Sequence, residues 1–160
     1  MLCNGCECFN KPPGLSRQTP PHQDNFYFNL KPAGGVTTMW CALDAVDEEN
    51  GSLSYLPASH AAGLRDHHAS WVKGFSQSIK DFTPEDSGAM VEVADLQPGD
   101  LVAHHSECIH SARENTSPPE RRRTSARGGP SPRGPPVSAC ATVSARRRRR
   151  ALPPRARRRG

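Results

Sequence analysis

Short apolar runs separated by turn residues recur along the first 110 positions, and no helical period is sustained. His22 to Leu30 is rich in aromatic residues and reads as a first strand, followed by a turn over 31–35. Val36 to Leu43 carries β-branched and aromatic residues with apolar side chains on both faces, the pattern of a central strand covered on both sides. Asp47-Glu48-Glu49-Asn50-Gly51 is a polar turn, and Leu53 to Leu56 is a short strand that stops at Pro57. From Ala58 to Gly88 no period holds, as expected of a lid or binding loop. Met90 to Val93 and Leu101 to His105 resume as strands, the second after the turn Gln97-Pro98-Gly99-Asp100 and leading on to Ile109-His110. Short strands with regular turn punctuation predict a mainly β fold: a sandwich, barrel or jelly roll. Residues 1–20, broken by Pro12-Pro13-Gly14 and Pro20-Pro21, are expected to be irregular.

Charge divides the chain. Of its 21 basic residues, 14 are arginines within residues 121–160, a stretch without acids or aromatics. The first 120 residues therefore carry a net charge of −9, although the whole chain is +5. All nine Phe, Tyr and Trp residues fall in that acidic part, so a core has to form there. Residues 124–160 are built largely from Arg, Pro, Ala, Gly and Ser and are expected to form a disordered basic tail. Such a tail would bind nucleic acid through phosphate, with strong salt dependence and little sequence preference. A non-catalytic protein with that property is the alternative functional reading. Without an apolar stretch of 18 residues or a signal-peptide core, the chain is expected to avoid membranes and to reside inside the cell, in the cytoplasm. The six cysteines then read as reduced thiols. Cys3, Cys6 and Cys8 have the spacing of half a zinc site, but no second close pair follows.

The residues that carry chemistry are His22 and Asp24. On a strand they would project from one face and could fill two adjacent positions around a metal ion. One further imidazole would complete a two-histidine, one-carboxylate triad, the arrangement that suits a non-haem Fe(II) oxygenase. His110, 86 residues beyond Asp24, is the candidate, with His104 and His105 as alternatives. Arg121 follows His110 by eleven residues and could hold a carboxylate in bidentate fashion.

Five blocks resemble the phytanoyl-CoA dioxygenase family of Fe(II)/2-oxoglutarate oxygenases. They are Pro21 to Phe28, Thr38 to Asp44, Asp47 to Leu53, Pro57 to His60, and Pro98-Gly99-Asp100 through His110-Ser111 to Asn115, Ser117 and Arg121. The resemblance implies a double-stranded β-helix (a cupin-like jelly roll) spanning a partial oxygenase domain over residues 21–123. It also implies His22, Asp24 and His110 as iron ligands, Arg121 as the anchor of the 2-oxoglutarate C5 carboxylate, and Trp40 as a wall of the cosubstrate pocket. The implied partners are O₂ and a small organic or acyl substrate, with ascorbate as the reductant in assays. Only 21 residues precede His22, and Thr124 onward lacks the look of a closing strand. The roll is thus expected to be incomplete at both ends and to turn over little.

Overall fold

A computed structural model describes residues 2–32, 35–131 and 141–144. Its strands are β1 (Leu2–Lys11), β2 (Thr19–His22), β3 (Thr37–Ala42), β4 (Leu53–Tyr55), β5 (His67–Val72), β6 (Phe75–Ile79), β7 (Val91–Val93), β8 (Leu101–His105), β9 (His110–Ala112), β10 (Arg123–Ser131) and β11 (Ala141–Ser144). Two short helices, α1 (Asp24–Phe28) and α2 (Pro84–Gly88), and a 3₁₀ turn (Ser59–Ala62) complete the regular elements. A five-stranded sheet in the order β1-β10-β3-β8-β11 faces a four-stranded sheet in the order β2-β9-β4-β7, and every pairing is antiparallel. This is the double-stranded β-helix. Trp40, Ala42 and Val102 from the first sheet meet Leu53, Tyr55 and Ala112 from the second in one apolar core.

Three expectations about the sheet strands are corrected. Residues 2–11 are not irregular, because the stretch before Pro12 pairs along its length with β10, from Leu2↔Ser131 to Lys11↔Arg123. The basic segment likewise begins as structure: β10 lies between β1 and β3, with Ser125 opposite Ala42 and fully buried. Small residues at Ser125, Ala126 and Gly128 fit closely between neighbouring strands, and the backbone ladder supplies what composition does not. β10 therefore stands where a closing strand was expected to be missing. Residues 132–140 and 145–160, which hold most of the expected tail, lie outside the described residues.

The third correction concerns β3, which is covered on one side only. Thr38, Trp40 and Ala42 face the core, whereas Met39 and Leu43 are more than a third exposed on the outer face. The segment 58–88 also has more order than its pattern suggested. It contains the β5–β6 hairpin and α2, whose Thr83 and Asp86 form a reciprocal capping box. Cys6, Cys8 and Cys41 are free thiols, but Cys108 is disulfide-bonded, against the expectation of reduced cysteines throughout. No helix among the described residues is long and apolar enough to cross a membrane.

Candidate metal centre

The strand carrying His22 ends with it. Asp24 opens α1, so the two residues sit on a strand-to-helix step rather than on one strand face. Asn25 explains why aromatic content misleads here. Its side chain accepts from the Leu30 amide, and Asn29 takes the left-handed conformation that ends the helix. The third candidate ligand arrives by sheet pairing, because β2 and β9 place His22 directly opposite His110. One ligand atom from each of His22, Asp24 and His110 falls within 4.8 Å of the other two, and all three residues are buried. This is the one such His/Cys/Asp/Glu group among the described residues.

The imidazoles are held in the tautomer that metal binding needs. His22 Nδ1 lies 2.9 Å from the Pro20 carbonyl and His110 Nδ1 lies 3.0 Å from the Cys108 carbonyl. A carbonyl only accepts, so each Nδ1 carries the proton and each Nε2 presents a lone pair. Those Nε2 atoms stand 3.6 and 3.7 Å from Asp24 Oδ1. The other carboxylate oxygen is fixed from behind. Thr38 Oγ1 donates to Oδ2 at 2.6 Å, and His104 Nε2 donates to it at 3.1 Å. His104 Nδ1 then accepts from the Tyr55 hydroxyl at 3.2 Å. His104 thus supports the carboxylate, while His105 Nδ1 accepts from the Glu107 amide. Two imidazoles with free lone pairs and one anionic oxygen form a donor set that fits a divalent first-row metal.

Gln23, between the two ligands, ties the 58–88 segment to them. Its amide donates to the Gly63 and Glu107 carbonyls at 2.8 Å each and accepts from the Arg65 amide at 2.8 Å. Beside the triad opens a cavity of about 570 Å³, walled by Phe9, Trp40, Leu53, Tyr55, Phe75 and Arg123.

The sequence profile of the phytanoyl-CoA dioxygenase (PhyH) family matches residues 5–124. The chain belongs to the phytanoyl-CoA dioxygenase family. A peroxisomal phytanoyl-CoA dioxygenase from Bos taurus is 32% identical over 115 residues, covering 68% of this chain and 33% of the relative. The chain thus spans about a third of the length of the curated relatives it matches first. Among solved structures, the non-haem α-ketoglutarate-dependent carbocyclase SnoK of nogalamycin biosynthesis is similar at 26% identity and a TM-score of 0.65, over 79% of this chain and 48% of SnoK. The epimerase SnoN, solved with Fe³⁺, α-ketoglutarate and nogalamycin RO, matches at 27% identity and a TM-score of 0.62, over 81% of this chain and 49% of SnoN.

Within this member of the phytanoyl-CoA dioxygenase family, the arginines fall differently from the expectation. Arg121 points away from the triad's cavity. It forms ion pairs with Asp47 and Glu49 at the surface, with Glu49 at 3.1 Å. Arg123, two residues further on, is 3% exposed and lines the cavity with Trp40. Its guanidinium lies 4.8 Å from the Trp40 ring centroid, and its Nε has no hydrogen-bond partner among the described residues. Burial lowers it to about 10, so it remains a cation at neutral pH. Lys11 is its neighbour in the same wall, lowered to about 7 by burial and then by Arg123.

Titration of the site should be visible as stability. Burial, and then His22, push the His110 imidazole well below the usual 6.5. The unfolded chain takes up this proton near 6.5 while the folded site refuses it, so the contribution is complete above that pH and is lost as pH falls. Asp24 acts in the same direction at lower pH. Burial alone would raise it, but His110, His104 and His22 more than offset that, and its carboxyl stays well below 3.8. Its contribution is present above 3.8 and is lost on further acidification. The urea midpoint of the metal-free protein should therefore drop between pH 7.5 and 5.5, and His110→Gln should flatten that dependence. A midpoint equal at both pH values in the parent chain would contradict this account.

Proposed function

We propose that this chain is an Fe(II)/2-oxoglutarate-dependent oxygenase acting on a C–H bond of a small organic or acyl substrate. The observation that carries the reading is the buried triad of two Nε2 lone pairs and Asp24 Oδ1, opening onto a cavity lined by a buried cation, Arg123, whose Nε has no hydrogen-bond partner among the described residues. His22, Asp24 and His110 would hold the iron. When bound, it supplies the activation of O₂ for a reaction in which 2-oxoglutarate, O₂ and R–H become succinate, CO₂ and R–OH.

The protein residues do the rest. Arg123 would pair with the cosubstrate's C5 carboxylate, taking the part the sequence assigned to Arg121, with Trp40 as the wall beneath it. A planar guanidinium suits that task because it offers parallel N–H donors to both carboxylate oxygens. Phe9, Leu15, Leu53 and Phe75 line the apolar part of the cavity, where a substrate would displace water from the reacting carbon. His104 and Thr38 hold Asp24 in one orientation throughout. Expression inside the cell supplies Fe(II) and 2-oxoglutarate; the bovine relative is named as peroxisomal.

Cosubstrate binding tests the reading without requiring turnover. Under anaerobic conditions 2-oxoglutarate should bind the chain only after Fe(II) or Mn(II) has been added, and admission of O₂ with ascorbate should then yield succinate. If 2-oxoglutarate binds equally well with and without metal, or not at all, the assignment fails.

A further inference from the structure

Arg127 stands where the metal's charge would act. It lies on β10 opposite Trp40 on one side and Glu7 on the other. Its Nη1 donates to Asp24 Oδ1 at 2.6 Å, the same oxygen that faces the two imidazole Nε2 atoms. Asp24 Oδ2 is already engaged by Thr38 and His104. Both oxygens of the buried carboxylate thus have donors supplied by the protein itself. Nη2 of Arg127 reaches Glu7 Oε2 at 3.2 Å, and the guanidinium lies 5.1 Å from the Phe9 ring centroid and 5.8 Å from that of Phe28. Residue 127 lies beyond the segment matched by the family profile, which ends at 124.

We propose that Arg127 is a built-in competitor for the metal: it neutralises Asp24 in the metal-free protein and must withdraw before a divalent cation can bind. This rests on the reading that the triad binds such a cation. Charge explains why the arginine is there. A fully buried carboxylate beside neutral imidazoles needs a counter-cation, and a short charge-assisted bond from a guanidinium provides one. A divalent ion would do the same work with more charge, but at Oδ1 the two cations would repel each other at close range. Glu7, exposed at the outer end of the guanidinium, gives the displaced group an acceptor, so withdrawal needs a side-chain rotation and leaves the strand in place. Arg127 therefore sets metal affinity without being a ligand.

The competition has a sign that a merely structural arginine would not produce. Mn(II), which is redox-quiet, is titrated into the full chain and into Arg127→Gln, with His22→Ala added to each as a control. Losing a charge-assisted bond to Asp24 should make Mn(II) bind Arg127→Gln about tenfold or more tightly than the parent. The metal-free variant should melt at a lower temperature than the parent, and saturating Mn(II) should close the gap. If Arg127→Gln binds Mn(II) no more tightly, while His22→Ala abolishes binding in both backgrounds, the competition is refuted and the metal centre stands. If neither folded chain binds Mn(II), the metal reading itself is overturned, and this inference with it. Should Arg127→Gln be unfolded without metal, competition requires that Mn(II) restore its circular dichroism, and failure to do so counts against the proposal.

Discussion

His110→Ala is expected to lower Mn(II) or Fe(II) affinity by more than about 100-fold, beyond the range typical of losing a group that merely supports a ligand. His110 is buried, its Nδ1 proton is committed to the Cys108 carbonyl, and its Nε2 lies 3.7 Å from Asp24 Oδ1. Removing it leaves two ligands and an apolar gap, and two protein ligands hold a labile ferrous ion poorly. His104 cannot take over without releasing Asp24 Oδ2, because the same Nε2 that would bind metal carries the proton donated there. Calorimetric or electron-paramagnetic titration with Mn(II) reads the effect directly. His104→Ala makes a useful companion, since it should weaken binding by only about 10- to 100-fold through loss of carboxylate support. Similar affinities in the parent and His110→Ala would remove the triad assignment.

The second large effect is expected at Arg123. Arg123→Met should weaken metal-dependent binding of 2-oxoglutarate by about tenfold or more, which corresponds to one charge-assisted hydrogen bond of roughly 1.5–3 kcal/mol. Metal affinity should stay within about twofold, since the Arg123 guanidinium is held over the Trp40 ring rather than against Asp24. Stability of the free protein should hold or rise, because the change removes a buried cation whose Nε is unpaired and keeps the side-chain volume over Trp40. Arg121→Met is the discriminating control. Its partners Asp47 and Glu49 are at the surface, so cosubstrate affinity should change less than about twofold. The reverse outcome, a large loss at Arg121 and none at Arg123, would restore the sequence assignment.

How far the sequence could be read depended on what each residue needed from its neighbours. The clustering of His22, Asp24 and His110 was legible because few combinations of imidazole and carboxylate suit chemistry at a metal, and the identity of three side chains carries that information. The conformation holding them was not. The run from His22 to Phe28 has the aromatic content of a strand, yet it turns into a helix after His22, closed at its C-terminal end by Asn25 and Asn29. Arg123 was missed because which arginine of three points inward depends on where a strand begins, and the composition after residue 123 argued against any strand. A signal was present nonetheless. Arg123, Ser125 and Arg127 alternate with Thr124 and Ala126, and the alternate set faces inward once the ladder to β1 and β3 forms. That ladder joins residues more than eighty positions apart, and nothing local encodes it. The β5–β6 hairpin was similarly hidden, with only Ile79 fully buried along its length.

The pairing of His22 with His110 also bears on when during synthesis the protein can acquire metal. Translation at about 5–20 residues per second separates Asp24 from His110 by roughly 4 to 17 s. Throughout that interval the nascent chain offers only one imidazole and one carboxylate of the triad, a pair too weak to retain an ion against cellular competitors. The closing strand, with Arg123 and Arg127, emerges later still. Under the proposed function, iron could not template the first half of this fold, and its insertion would follow the ribosome's completion of the roll.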